Sequence, residues 1–219
     1  MNQQKSNIDP PEFPSEHGQS RFQVFIKPIS SQASRVQKDQ VTSAIRQITK
    51  KIDKIITTDV SVTITWFVNE DERYELDSSA DIDNIIKPIL DALSGPDGII
   101  LNDCQVQHLS CNWRDRYGDP EHIVIEISYE PDAFFEKDKI IFVQVRGALC
   151  MPIHEGMVDG ALKILLDDFE MKLWARDKLM EMSNTYHQAR SVMSIQRYFH
   201  RTRVGDFKVK KIEELRVLL

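Results

Sequence analysis

"SADIDNIIKPILDALSGPDGIILNDCQV", residues Ser79 to Val106, is the stretch on which the reading of this chain turns. Ile82, Ile85, Ile86, Ile89, Leu90 and Leu93 recur at helical spacing and predict a core-facing helix that Gly95 stops. Asn84, Lys87 and Asp91 fall on another face of it. Pro88 would clash with the carbonyl four residues back, so the helix starts near Asp83 or Asn84 or is kinked there. Ile99 to Leu101 reads as a short strand that delivers Asp103. Asp81 and Asp83 stand two apart at the mouth of the helix, and Lys87 lies one turn beyond Asp83. Three carboxylates and a lysine can therefore converge, a set that suits a hard divalent cation acting on a phosphodiester: Mg²⁺, with Mn²⁺ as the alternative.

The flanking sequence frames that site. Residues 1–20, with Pro10, Pro11 and Pro14, read as a disordered lead-in. Phe22, Val24 and Ile26 alternate as a strand ended by Pro28. Apolar residues from Val36 to Ile55 recur at helical spacing and predict one long amphipathic helix over about 33–56, with its lysines and arginines opposite. Val60, Val62, Ile64, Trp66 and Val68 alternate strictly as a strand, and Asn69 to Ser79 reads as a polar loop. Gln105 to Trp113 and Ile123 to Tyr129 read as two strands joined by the turn-rich 114–122. Lys139 to Val145 adds one more. From Met157 the pattern becomes helical, with a stripe from Val158 to Leu173, a second helical stretch over Ser183 to His200 and a short segment to Leu219. The expected fold is α+β: a small mixed sheet with packed helices over 21–135, then a mainly helical extension over 136–219.

Charge is uneven. The net charge of −6 divides into 13 basic and 22 acidic residues over 1–135 and 15 basic and 12 acidic over 136–219. Residues 21–60 carry eight basic groups against three acids, and so do residues 186–219. Two basic zones thus flank an acidic centre. They are ordinary solvated faces or tracks for a polyanion, and Arg35, Lys38, Arg46, Lys50, Arg201 and Arg203 are the candidate DNA contacts. The three cysteines form no CxxC pair, and no apolar leader or run of about 18 apolar residues is present. A soluble, cytoplasmic protein with no membrane span is expected.

The string DIDNIIKPILDAL, a short Gly-containing loop, an apolar triplet and then NDCQV resembles the RusA-type Holliday junction resolvases. The likeness is best over 81–106 and looser over about 21–130. It implies that Asp81, Asp83 and Asp103 bind the metal and that Lys87 is the catalytic lysine near the scissile phosphate. Asn84 and Gln105 become candidates for orienting those ligands. It further implies a homodimer acting on branched DNA in recombination and repair. Family members commonly show two adjacent aspartates where this chain has Asn102 and Asp103.

Each residue also admits a plainer role. Asp83 could cap the helix and pair with Lys87 at i+4, Asp103 could be a turn residue, and Asp91 suits an ion pair with Lys87. A competing reading makes the chain a weakly active or inactive DNA-binding module on a resolvase scaffold, whose C-terminal helices dock a protein partner.

Overall fold

The computed structural model describes residues 13, 15, 17–27, 34–75, 82–115, 120–183, 185–193, 197–217 and 219, with side chains omitted for 72, 83, 84 and 183. The chain divides into two compact units, Met1–Lys137 and Asp138–Leu219.

The first unit is built on a four-stranded mixed sheet. Its strands are β1 (Gln19–Val24), β3 (Val60–Val68), β4 (Val106–Asp115) and β5 (His122–Tyr129), in the order β1-β5-β3-β4. β5 runs antiparallel to both β1 and β3, whereas β4 runs parallel to β3. The two strands expected to follow one another across the turn at 114–122 are therefore present but separated by β3. A small second sheet pairs β2 (Lys54–Ile56) with β6 (Phe134–Glu136). β3 buries every second residue from Val60 to Val68, as strict alternation requires of a strand with one face on the core.

Helix α1 (Arg35–Thr49) opens with a capping box in which Ser34 accepts from Gln37 N and the Gln37 side chain accepts from Ser34 N. It ends sooner than its apolar period suggested. Ile52, Ile55 and Ile56 are buried, but as the turn and strand that follow, not as helix. A short helix α2 (Glu70–Tyr74) occupies the start of the expected polar loop. Helix α3 (Ile82–Leu93) includes Pro88 in its interior. Val41, Ile45 and Ile48 of α1 and Ile89, Ala92 and Leu93 of α3 close over the sheet in one core. The lead-in expected over 1–20 ends earlier: Phe13 packs on Tyr129 at 5.3 Å between ring centres, and β1 begins at Gln19.

The second unit contains the expected helices and more strand than expected. Its sheet has the order β10-β7-β8-β9, from β7 (Ile140–Arg146), β8 (Leu149–His154), β9 (Phe199–His200) and β10 (Val209–Lys211). The long helix α4 (Asp159–Ser183) sets Leu166, Phe169 and Leu173 on Ile141, Val143, Met151 and Ile153. Of the helix expected over 183–200, the described residues between α4 and β9 hold α5 (Tyr186–Arg190), and α6 (Ile212–Arg216) follows β10. Among the described residues no helix is long and apolar enough to cross a membrane.

Candidate active site

The loop between α3 and β4 folds back on the helix it leaves. Gly95 adopts φ +91°, a left-handed conformation that an L side chain rarely takes, and so reverses the chain at the helix end. The Leu93 carbonyl then accepts from both Ile99 N (2.8 Å) and Ile100 N (3.1 Å). Gly98 sits so close that a Cβ would meet the Leu93 oxygen at 2.0 Å. Ile99 to Leu101, expected as a strand, is a buried run that makes only isolated bridges, from Ile100 to Ile56 and Ser94.

Gln105 fixes the next turn. It is fully buried. Its Oε1 accepts from Leu101 N (2.7 Å) and Asn102 N (3.1 Å), and its Nε2 donates to Ile56 O (3.0 Å) and Thr58 O (2.6 Å). An amide side chain offers two donors and one carbonyl oxygen with two lone pairs, so backbone groups use its full capacity. Gln105 thereby acts on Asp103 through the chain on either side of it. Asn102 Oδ1 accepts from Cys104 N at 3.1 Å and caps the 3₁₀ turn Asp103–Gln105.

This loop brings Asp103 to Lys87. The Lys87 Nζ donates to Asp103 Oδ2 at 3.0 Å and to Asp91 Oδ1 at 2.5 Å. Asp91 is thus the i+4 partner that the helix face suggested. The Lys87 pKa is raised above its ordinary value, first by the hydrogen bond to Asp91 and then, against some desolvation, by Asp103. The lysine remains an ammonium throughout the neutral range.

Of the other expected site residues, Asp81 lies outside the described residues. Asp83 and Asn84 lie in the first turns of α3, with side chains outside the description. Among the described residues no group of three or more His, Cys, Asp or Glu stands close enough to hold a metal ion. The donor chemistry at Asp103 nonetheless fits a hard cation. Two carboxylates flank one ammonium, leaving a surplus negative charge on hard oxygen ligands of the kind Mg²⁺ prefers.

Arg35, Lys38 and Arg46 lie on α1, and Lys50 is the residue that caps its C-terminal end. Asp39, Thr42, Ser43, Arg46, Gln47 and Lys50 line an open depression of about 350 Å³ along that helix, and Lys50 pairs with Asp97 at 3.0 Å. Arg201 and Arg203 lie in the 3₁₀ turn Arg201–Arg203 of the second unit. The reading of the sequence passed over Lys137. Its Nζ donates to Thr49 O at 2.8 Å at the end of α1, and burial pushes its pKa down to about 8 against the pull of Asp97 and Asp53. Its position in a short polar segment gave no signal of that burial.

A family model described as endodeoxyribonuclease RusA matches residues 16–128, more than half of the chain. The chain belongs to the RusA endodeoxyribonuclease family. The match runs from before β1 to the penultimate residue of β5 and includes the whole loop that carries Asp103, in agreement with the resemblance carried by the DIDNIIKPILDAL and NDCQV segments. No curated protein matches the chain. For this RusA-family chain, residues 138–219 lie beyond the family match and form the second unit.

Proposed function

We propose that this RusA-family chain is a divalent-metal-dependent endonuclease that cleaves Holliday junctions or other branched DNA in recombination and repair, working in the cytoplasm as a homodimer. The observation that carries the reading is the Lys87 ammonium held 3.0 Å from Asp103 on a loop clamped by Gln105. In this reading Asp81, Asp83 and Asp103 would hold the cation, Mg²⁺ or Mn²⁺, which when bound supplies Lewis acidity toward the phosphodiester. Lys87 supplies a compact positive charge for the phosphate oxygens as negative charge grows on them during attack. Asp91 keeps that ammonium protonated and directs it along the helix face. Arg35, Lys38 and Arg46 on α1 with Lys50 at its C-cap, and Arg201 and Arg203 on the other unit, would bind DNA arms through phosphates, so affinity should fall steeply with salt.

Asp83→Asn tests the chemistry. The variant is expected to bind a synthetic four-way junction like the parent and to lose metal-dependent cleavage; full cleavage would remove Asp83 from the ligand set.

A further inference from the structure

The stretch from Thr49 to Thr58 is tied to two other parts of the first unit. One is the loop that carries Asp103. Thr49 Oγ1 donates to Asp97 O at 2.7 Å, Ile56 N donates to Ile99 O at 2.9 Å, and the Ile56 and Thr58 carbonyls accept from Gln105. Both bonds made by the Gln105 Nε2 therefore end on this stretch.

The other part is the segment 133–137. β6 pairs with β2 residue for residue, Thr57 N donates to Ala133 O at 2.9 Å, Lys137 N donates to Asp53 O at 2.8 Å, and Lys137 Nζ reaches Thr49 O at 2.8 Å. A two-stranded ladder of three residues is marginal by itself, so its position depends on the bonds that flank it. Lys137 supplies two of them. Its ammonium also stands at the C-terminal end of α1, where the helix leaves partial negative charge, and it is drawn by Asp97 and Asp53. All of this lies beyond residue 128, where the family match ends, and Lys137 is the last residue of the first unit.

We infer that Lys137 is a positioning residue for the reaction proposed above, the outer tie of a brace, residues 133–137, that fixes Thr49 to Thr58 and through them the Asp97 turn, the Gln105 clamp and Asp103. Its part in cleavage rests on the nuclease reading, whereas the brace can be measured without any cleavage. Amide exchange of the full chain at pH 7, followed by NMR, measures it. In Lys137→Met the Leu101 and Asn102 amides, both bonded to Gln105 Oε1, are expected to exchange about fivefold faster or more, while those of β5 keep the parent's rates. Thr49→Val cuts the same route at Asp97. The double variant should therefore exceed the faster single variant by less than about twofold, because both changes break one chain of bonds. Junction cleavage by Lys137→Met is expected to fall about tenfold in kcat with the KM for the junction unchanged.

Unchanged exchange at Leu101 and Asn102, or an equal rise throughout β5, would overturn the brace, and so would single effects that multiply in the double variant. Faster local exchange with undiminished kcat would overturn the role of Lys137 in placing Asp103. A parent that cuts no junction would remove the nuclease reading, and the exchange rates would still decide the brace.

Discussion

Lys87 is held between two carboxylates, and its raised pKa follows from that placement. Replacing it with Met leaves Asp91 and Asp103 without their shared cation and removes the charge proposed to meet the phosphate. Lys87→Met is expected to reduce junction cleavage roughly 100-fold or more, with junction binding retained in a gel-shift measurement. Gln105 acts differently, through four backbone bonds made in a fully buried place. Gln105→Leu would take this partner from the buried Leu101 N–H and Ile56 carbonyl and from the half-buried Asn102 N–H and Thr58 carbonyl, costing about 3 kcal/mol in urea denaturation. Asn102 accepts a hydrogen bond as the cap of the Asp103 turn, and an aspartate can accept the same bond. Asn102→Asp should therefore leave the melting temperature nearly unchanged and lower the Mg²⁺ concentration needed for half-maximal cleavage. A rise in that concentration would contradict the placement of Asp103 beside the cation.

At the scale of elements, the turn Gly95 to Gly98 sets the separation of Lys87 from Asp103, because both glycines serve the return of the chain onto Leu93. Gly98→Ala drives a Cβ into the Leu93 carbonyl and is expected to cost about 1–3 kcal/mol while lowering cleavage as Asp103 shifts. The same turn is tied to α1: Thr49 Oγ1 donates to Asp97 O at 2.7 Å, and Lys137 Nζ donates to Thr49 O. With the Lys137 pKa near 8 in the fold and its ordinary value of 10.5 in the open chain, the unfolded chain takes up its proton first as pH falls. Stability should therefore rise between pH 8 and 10.5, and Lys137→Met should flatten that rise in urea titrations.

These elements also show where the sequence could be read and where it could not. β3 and α3 were legible because a strict period of two buries Val60, Val62, Ile64, Trp66 and Val68, and a period of 3.6 buries Ile85, Ile89, Leu90 and Leu93. The end of α1 was not, since Ile52 and Ile55 keep helical spacing by coincidence while tertiary packing turns them into a loop and strand. The approach of Lys87 to Asp103 was legible as a motif, and Asp91 as an i+4 partner. The Gln105 clamp depends on Ile56 and Thr58, distant in sequence, and no local pattern reveals such a contact.

For the whole molecule, two units with separate cores imply two unfolding events. Phe169→Ala empties the core of the second unit and should lower its stability by about 3–5 kcal/mol, splitting a urea transition followed by circular dichroism into two steps. A single step in that variant would mean that the units unfold as one.

The parallel pairing of β3 with β4 also dictates an order of events. Parallel neighbours cannot be joined by a tight turn, so the chain from Val68 to Val106 must travel across the sheet before β4 can dock. Lys87 and Asp103 both ride in that crossover. Contacts between distant segments form slowly because the entropy of closing the intervening chain comes first. On refolding, DNA cleavage should accordingly return after the helical signal, and a newly made chain would hold the motif for a time before it could cut.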